Sequence, residues 1–389
     1  MNGLVFGAGN IGRGFLGLLL SKTGYKVTFV DLDESKISSI NNHKEYPVYV
    51  VSENGIQTDQ VHNVSAIHAQ NYDSVIDAIV NSEVILTAVG KNALAHLAPA
   101  LAEGLMKRVS RRPKSEVHVV VIACENVQDN TSYLSNLLQK YVPKERWSKI
   151  REKISFPNCV VDRIVPNTLP VNDTNPIAVA VEEYYQLEVD TTALVAEFPK
   201  IHGIGLSTNL GSALEQKLCT LNMAHAILGY FGYFKKYKYV HEAIQDKTIY
   251  QLLEGALTEV SFTISRRHNN ITPEMQKAYS EKVIKRFRNS YLRDEIVRVA
   301  RDPQRKLGPA DRLIQPMTLS WELGVIPSYL VSGVTAALHY NYSSDKEAQL
   351  LYQLIQNLGI EKVLSDVSGI RPKTELSRLI KSNFLFRDL

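Results

Sequence analysis

Three polar residues in an apolar stretch near the middle of the chain could carry out acid–base chemistry. The stretch runs from Gln216 to Leu228 and contains Lys217, Asn222 and His225. Read as a helix, its apolar residues surround the axis, which is typical of a buried helix. Lys217, Asn222 and His225 fall at about 0°, 140° and 80° on the helical wheel, so they share one side.

A buried lysine beside an amide and an imidazole could accept the proton of an alcohol. Burial lowers the pKa of a lysine toward neutrality, and a neutral amine is a base. The structural alternative is that Lys217 reaches water from the first helical turn while Asn222 and His225 are hydrogen-bonded core residues. The stretch alone leaves both interpretations open.

A glycine-rich motif near the N-terminus predicts a dinucleotide site. Gly7-Ala8-Gly9-Asn10-Ile11-Gly12 lies between an apolar strand, Leu4 to Phe6, and a helix, Arg13 to Lys22. In this context the three glycines allow a tight turn, backbone approach to a pyrophosphate and close packing of helix on strand. The helix N-terminus also attracts phosphate through its unpaired N–H groups.

The next strand ends in an acid that favours NAD. Lys26 to Val30 reads as a strand, and Asp31 follows it 19 residues after Gly12, a spacing typical of a carboxylate on the adenosine ribose. Asp31 and Asp33 would repel a 2′-phosphate, so we expect NAD rather than NADP.

Two further strand ends are expected to line the same crevice, because ligands bind at the carboxyl ends of parallel strands. Val84 to Val89 is followed by Gly90, and Ala88, Val89 and Gly90 could lie against the nicotinamide end of the cofactor. Val117 to Ala123 is fully apolar, and Cys124-Glu125-Asn126 follows it. Asn126 could hold a substrate oxygen or cap the helix after it, and the two roles are compatible.

The hydrophobic periodicity predicts an α/β, Rossmann-like domain over residues 1–195 and a mainly α-helical, substrate-binding domain over residues 196–389. Further strands are expected at Tyr46 to Ser52, Phe156 to Val161 and Ile177 to Val189. The predicted helices are Tyr72 to Asn81, Ala93 to Val109, Ser212 to Phe231, Thr248 to Arg267, Pro273 to Arg288, Pro327 to Leu338, Asp345 to Leu358 and Lys373 to Phe384. Pro273 after Thr272 is typical of a helix start.

Composition excludes several classes of function. The 389 residues carry a net charge of +4 and are 44% apolar, which indicates a globular protein without a nucleic-acid role. No apolar run is long enough to cross a membrane, and no signal peptide precedes the first strand. The three cysteines, Cys124, Cys159 and Cys219, form no CxxC pair, and no spacing resembles a zinc site. We therefore expect a cytoplasmic protein without a metal ion.

A group of basic residues in turn-rich sequence could bind an anion such as a phosphate. These residues are Arg288, Arg305, Lys306 and Arg312. The alternative for each of them is a solvated basic surface.

Taken together, Lys217-x4-Asn222-x2-His225, the GxGxxG motif and Asn126 resemble the polyol-specific long-chain dehydrogenases. The resemblance extends over nearly the whole chain, through Phe6 to Phe15, Thr87 to Gly90, Ala123 to Asn126, Asp162 to Pro166, Arg305 to Leu307 and Asp311 to Ile314. Ser290 departs from the family, which commonly has proline after this Arg-Phe-x-Asn run.

The resemblance implies a reversible, metal-independent oxidation of D-mannitol 1-phosphate by NAD to D-fructose 6-phosphate, by a monomer or homodimer. It implies that Lys217 is the general base or acid, that Asn126 and Asn222 hold the reacting oxygen, and that His225 orients the substrate. Two alternatives are a mannitol 2-dehydrogenase or hexuronate reductase of the same family, and a non-catalytic NAD-binding regulator.

Overall fold

The computed structural model describes residues 1–52, 54–113 and 117–385. It divides into two compact units, Met1–Leu210 and Gly211–Leu389. This division falls later than the expected boundary near residue 195, because Phe198 and Ile201 are buried in the core of the first unit. The strand Gly205–Ser207 is also part of a sheet of that unit.

The first unit is built around a six-stranded parallel sheet, which confirms the predicted Rossmann-like class. Its strands are β1 (Asn2–Phe6), β2 (Lys26–Asp31), β5 (Val64–His68), β6 (Val84–Thr87), β7 (Val119–Ala123) and β8 (Ile154–Ser155). The order β5-β2-β1-β6-β7-β8 is that of a dinucleotide-binding fold, in which the strand order reverses between β1 and β6. All residues of β6 and β7 are buried, as expected for strands covered on both faces.

Helices cover both faces of this sheet. They are α1 (Leu18–Lys22), α2 (Glu34–His43), α3 (Tyr72–Asn81), α4 (Leu94–Arg111), α5 (Asn130–Gln139) and α6 (Lys144–Arg151). The helix expected at Arg13 to Lys22 contains a π-helical turn, Gly12–Gly17, before α1. Short 3₁₀ turns occur at Lys91–Ala93 and Thr191–Ala193.

Two small sheets complete the first unit. One contains β3 (Glu45–Ser52), β4 (Gly55–His62) and β10 (Val179–Glu182), and the other contains β9 (Cys159–Asp162), β11 (Gln186–Asp190) and β12 (Gly205–Ser207). The prediction of a single strand from Ile177 to Val189 is therefore wrong. β10 pairs with β3 and β11 pairs with β9, so this segment crosses from one sheet to the other.

The second unit, as far as residue 385, is helical apart from one isolated β-bridge between Tyr239 and Glu295, which confirms the predicted class. Its helices are α7 (Gly211–Gln216), α8 (Met223–Phe234), α9 (Val240–Ala243), α10 (Lys247–Arg267), α11 (Pro273–Arg288), α12 (Ile296–Ala300), α13 (Pro303–Lys306), α14 (Ile314–Glu322), α15 (Ser328–His339), α16 (Lys346–Leu358), α17 (Ile360–Ser368) and α18 (Glu375–Leu385). A π-helical turn, Lys217–Asn222, joins α7 to α8, and a 3₁₀ turn covers Ser290–Leu292. Thr272 caps α11 with Pro273 at its start, as the sequence predicted.

Helix α8 is the centre of the second unit and packs against α10, α12 and α15. Glycines make the contact with α12 close. A Cβ atom at Gly229 would lie 2.9 Å from Val299 Cγ1, and one at Gly232 would lie 2.6 Å from Ile296 Cδ1. The two glycines therefore allow α8 and α12 to pack closely against each other.

Within the described residues no helix combines the length and apolar character that a membrane span requires.

Candidate active site

The glycine loop after β1 is shaped by contacts within itself. Gly7 has a positive φ of 98°, and a Cβ atom at Gly12 would lie 1.9 Å from the Gly7 carbonyl oxygen. By contrast, a Cβ atom at Gly9 would meet no atom within 4 Å. Gly7 and Gly12 are thus required by the turn, whereas Gly9 leaves open space beside the backbone, as a site for a pyrophosphate would need.

Asp31 links the end of β2 to this loop. Its Oδ2 atom accepts a hydrogen bond from the Ala8 amide at 2.6 Å. Its Oδ1 atom accepts from the amides of Leu32 and Asp33 at 2.8 Å and 3.0 Å. The carboxylate expected on the ribose is thereby fixed at the carboxyl edge of the sheet.

The remaining loop residues are held from other segments. Asn10 Nδ2 donates to Asn167 Oδ1 at 3.2 Å, and Ile11 packs against the hydrophobic core. Arg13 is almost fully buried, and its guanidinium donates to the carbonyl of Ala8 and, at 3.0 Å, to that of Ile177. No role was predicted for Arg13, although an arginine directly after the third glycine and before apolar residues indicates a buried side chain that hydrogen-bonds the loop.

The loop after β6 lies beside the glycine loop. A Cβ atom at Gly7 would be 2.6 Å from the Ala88 carbonyl oxygen, so the backbones of the two loops are in contact. Gly90 has a φ of 85°, which turns the chain away after Val89. Ala88, Val89 and Gly90 therefore lie at the position where the strand order reverses, next to the predicted phosphate loop.

Glu125, for which no role was predicted, lies just after the end of β7. It is 5% exposed, and its carboxylate accepts from Thr87 Oγ1 at 2.6 Å and from the Val89 amide at 3.0 Å. Burial raises the pKa of Glu125, and the hydrogen bonds from Thr87 and Val89 partly offset this effect. A charged residue directly after a fully apolar strand was the available signal, and its function here is to tie the end of β7 to the end of β6.

Asn126 lies in the exposed bend that follows Glu125. The N-cap position of α5 is Asp129, so Asn126 is not the cap residue and the capping interpretation is wrong. The bend is held by Asn130, whose Nδ2 atom donates to the Glu125 carbonyl at 3.2 Å and to the Cys159 carbonyl at 2.9 Å. Asn126 is thus presented at the carboxyl edge of the sheet by a rigid support.

In the second unit, Lys217 and Asn222 are the first and last residues of a π-helical turn. Each is 8% exposed. The expected angles assumed a regular α-helix, and that assumption is wrong for this turn. A π-helical turn, with hydrogen bonds from residue i to i+5, holds more residues than an α-helical turn, so Lys217 and Asn222 are separated by a smaller angle about the axis than in an α-helix. The wider turn therefore aligns the lysine with the amide more closely than the wheel suggested.

A chain of buried polar groups supports this turn. Gln276 of α11 is fully buried, and its Nε2 atom donates to Thr220 Oγ1 inside the turn at 2.9 Å. Its Oε1 atom accepts from Gln216 Nε2 at 2.8 Å. These bonds help to stabilise the wider conformation of the turn. π-Helical turns are rare, and they are frequent at functional sites.

His225 lies on α8 one helical turn after Asn222, and its imidazole has two close neighbours. Its Nε2 atom is 2.8 Å from Asp294 Oδ2, and its ring stacks on Phe287 with the centroids 4.9 Å apart. Burial lowers the pKa of His225, and the bond to Asp294 only partly offsets this effect. The lowered pKa favours the neutral form of His225.

The four basic residues proposed for phosphate binding divide into two groups. Arg288 is exposed and lies over the ring of Tyr250, at 5.1 Å from its centroid. Arg305 donates to Asp302 at 2.6 Å and to Asp311 at 3.0 Å, and Arg312 donates to Asp311 at 2.8 Å. Lys306 is buried and donates to the Val299 carbonyl at 2.7 Å. Burial and the charges of Arg312 and Arg305 hold the pKa of Lys306 well below its ordinary value.

The described part of the chain contains no cluster of His, Cys, Asp and Glu side chains that could hold a metal ion. All three cysteines are buried, and burial raises the pKa of the Cys219 thiol.

Comparison with known proteins identifies relatives over nearly the whole chain. A model of the mannitol dehydrogenase Rossmann domain matches residues 1–203, and a model of the mannitol dehydrogenase C-terminal domain matches residues 209–389. Mannitol-1-phosphate 5-dehydrogenase of Thermoanaerobacter pseudethanolicus is 40% identical over 371 residues, which make up 95% of this chain and 94% of the relative. The enzyme of the same name from Anoxybacillus flavithermus is 37% identical over 98% of each chain.

Two solved structures share the fold. The Pseudomonas fluorescens mannitol 2-dehydrogenase, in a ternary complex with NAD and D-mannitol, aligns with a TM-score of 0.75 at 16% identity, covering 99% of this chain and 90% of that one. A substrate-free D-sorbitol dehydrogenase aligns with a TM-score of 0.77 at 17% identity, covering 99% of this chain and 92% of that one.

Proposed function

This chain belongs to the mannitol dehydrogenase family, as its motifs predicted, and we propose that it catalyses the reversible, NAD-dependent oxidation of D-mannitol 1-phosphate to D-fructose 6-phosphate. The name shared by its full-length relatives supports the substrate. The observation that carries the reaction is the buried Lys217 in one π-helical turn with the buried Asn222.

The residues of the first unit would hold the cofactor. Gly7, Ala8, Gly9, Asn10, Ile11 and Gly12 would surround the pyrophosphate, with Asp31 on the ribose and Ala88, Val89 and Gly90 beside the nicotinamide. The open space beside Gly9 fits this role. Asp31 and Asp33 would repel the 2′-phosphate of NADP, which favours NAD. When bound, NAD accepts the hydride from the alcohol carbon.

Lys217 would accept the hydroxyl proton during oxidation and return it during reduction. Asn126 and Asn222 would donate hydrogen bonds to the reacting oxygen as it gains negative charge, and this stabilises the transition state more than the ground state. His225 would orient the substrate through its other hydroxyl groups. The proton and the hydride thus leave the same alcohol, and no metal ion is needed to polarise the oxygen.

Arg305 and Arg312 are our candidates for contact with the substrate phosphate. They lie with Lys306 in one cluster, whereas Arg288 contacts Tyr250 on α10. Asp302 and Asp311 hold the two guanidinium groups in place, and each guanidinium has further N–H donors with which to meet an anion.

The deciding experiment measures NADH oxidation by the purified protein with fructose 6-phosphate, free fructose and fructuronate in parallel. We expect activity with the phosphate alone. Activity with fructose or fructuronate instead would retain the lysine chemistry and replace the substrate by that of a mannitol 2-dehydrogenase or hexuronate reductase. Inactivity with all three, despite NADH binding, would favour a non-catalytic regulator.

The same assay tests the phosphate contact. Replacing both Arg305 and Arg312 by glutamine should raise the KM for fructose 6-phosphate by about tenfold or more, because a charge-assisted hydrogen bond is worth about 1.5–3 kcal/mol. Arg288→Gln is the matched control and should leave KM unchanged. An unchanged KM in the double variant would exclude this cluster from phosphate binding.

A further inference from the structure

Asp294 is a buried acid in the second unit, and its side chain contacts His225 and Arg298. Its side chain is 4% exposed, and Oδ2 lies 2.8 Å from His225 Nε2. Oδ1 accepts from Arg298 Nε at 2.8 Å and also from Arg298 Nη2. Each carboxylate oxygen therefore has a separate partner, and the histidine is bound by one oxygen only.

The backbone around Asp294 is held as firmly as its side chain. The Asp294 carbonyl accepts from the Val240 amide at 2.9 Å, and the Ile296 amide donates to the Lys238 carbonyl at 2.9 Å. These two bonds bracket the residue, and α12 packs closely on α8 at Gly229 and Gly232. The carboxylate consequently has little freedom to move away from His225.

The charges around the pair decide its protonation. Burial acts to raise the pKa of Asp294, but the charge of Arg298 and the bond from His225 outweigh it, so this pKa is lowered. Burial lowers the pKa of His225, Asp294 acts to raise it, and Arg298 and Arg312 lower it further. Near neutral pH the pair is therefore an ionised carboxylate beside a neutral imidazole.

An ionised carboxylate can only accept hydrogen bonds, so the proton between the two residues must sit on His225 Nε2. A neutral imidazole carries one proton, which leaves Nδ1 with a lone pair. From this geometry we infer that Asp294, held by Arg298, is a positioning residue that keeps His225 in its Nε2–H form, with Nδ1 accepting a hydrogen bond from a hydroxyl group of the substrate.

This inference rests on the proposed function and makes it more specific. A polyol phosphate offers several hydroxyl donors besides the one that reacts, and an acceptor fixed in direction selects the position of one of them. Stacking on Phe287 prevents the ring from tilting, and the bond to Asp294 prevents it from flipping. Asp294 acts through His225 and makes no contact with the reacting atoms.

Asp294→Asn should disturb this arrangement with little change in shape. A carboxamide can donate to Nε2, which would move the ring proton to Nδ1 and convert the acceptor into a donor. In the serine-protease triad the equivalent change lowers turnover by about 10⁴ through the wrong tautomer. Here we expect kcat/KM for fructose 6-phosphate to fall by at least about tenfold, as for other residues that orient a functional histidine. The dissociation constant of NADH should not change.

The test reads the tautomer directly by ¹⁵N NMR of protein labelled at histidine, with His225→Gln identifying the signal. Asp246→Asn is the matched control, because Asp246 also binds a basic side chain and backbone amides, those of Thr248 and Ile249. The expected result is an Nε2–H signal at pH 7.5 in the wild type and in Asp246→Asn, and an Nδ1–H signal in Asp294→Asn together with the loss of kcat/KM.

Two results would overturn the inference. One is a wild-type His225 that is cationic or in the Nδ1–H form at pH 7.5, and this reading stands even if Asp294→Asn does not fold. The other is an Asp294→Asn variant with unchanged tautomer and kcat/KM. If the wild type is inactive on all three sugars, the proposed function fails. The tautomer of His225 in the wild type shows separately whether the inference about Asp294 fails.

Discussion

At the scale of single residues, the proposed chemistry depends on a lysine that is almost withdrawn from water. Lys217 is 8% exposed in a helix whose neighbours Cys219, Thr220 and Leu221 are buried as well. Burying the charged form of a lysine costs free energy, and residues with such costs are often found at functional sites. Its position at the start of the π-helical turn, five residues before Asn222, favours the functional explanation.

Lys217→Ala should lower turnover with fructose 6-phosphate by about 10²- to 10⁴-fold, the usual contribution of a general acid–base group. NADH binding should remain, because the cofactor residues lie in the first unit. Steady-state kinetics and NADH fluorescence titration measure the two effects. Lys362→Ala removes an exposed lysine that pairs with Asp366 and serves as the control. Near-normal turnover in Lys217→Ala would assign the proton transfer to another group.

At the scale of elements, glycines of the same motif have different physical functions. Gly12 is required because the loop closes on itself, with the Gly7 carbonyl at the position of the missing side chain. Gly9 has no such neighbour, so the fold does not require its lack of a side chain, and we propose that it leaves room for the cofactor. The three glycines look equivalent in the motif, but the structure shows that Gly9 and Gly12 have different surroundings.

The variants Gly9→Ala and Gly12→Ala should therefore fail in different ways. Gly12→Ala forces the loop apart and should lower the free energy of unfolding by about 1–3 kcal/mol or more, as overpacking does. Gly9→Ala should keep its stability and lose at least about tenfold in NADH affinity, because the methyl group occupies space beside the pyrophosphate. Urea unfolding and NADH titration measure these effects. Equal losses of stability would contradict the distinction.

Each of the two units contains a π-helical turn at residues with a proposed function. Gly12–Gly17 follows the glycine loop, and Lys217–Asn222 carries the lysine and one amide. A π-helical turn leaves the regular hydrogen-bond ladder, so it needs support from outside the helix. Tyr46 supplies it in the first case, through a 2.9 Å bond to the Arg13 carbonyl, and Gln276 supplies it in the second.

At the scale of the whole molecule, ionised carboxylates link stability to pH. The bond from Lys235 lowers the pKa of Asp246, the N-cap of α10, to about 2. The pKa values of Asp294 and Asp311 are also lowered, because nearby arginines outweigh the effect of burial. Acids with lowered pKa values stabilise the folded state above their unfolded pKa and lose this effect as the pH falls toward the folded pKa. Burial raises the pKa of Glu125 and Glu259, which opposes part of this trend.

Asp246→Asn tests this linkage in the second unit. It should lower the free energy of unfolding at pH 7.5, and the difference from the wild type should shrink by pH 3, where the unfolded wild type has taken up the proton. The chain has two tryptophans, so a Trp147→Phe background leaves Trp321 of α14 as the fluorescence probe of the second unit. A difference that is equal at pH 7.5 and pH 3 would show that the charge of Asp246 contributes nothing.

The sequence by itself determined the features that depend on neighbours along the chain. The strand–GxGxxG–helix order, the acid at the end of β2 and the start of α11 at Pro273 are local patterns with local physical causes. The alternation of strands and helices was sufficient for the fold class. The motif Lys217-x4-Asn222-x2-His225 is also local, because the spacing of its residues within one stretch carries the resemblance to the family.

Tertiary structure alone decided the features whose partners are distant in the chain. His225 and Asp294 are 69 residues apart, and Glu125 and Thr87 are 38 apart, so no periodicity connects them. The crossing of residues 177–189 between two sheets and the π-helical turn at Lys217 likewise depend on β3, β9 and Gln276. The physical reason is that a hydrophobic pattern specifies which face is buried, whereas the packing of helices and sheets specifies which polar groups meet there.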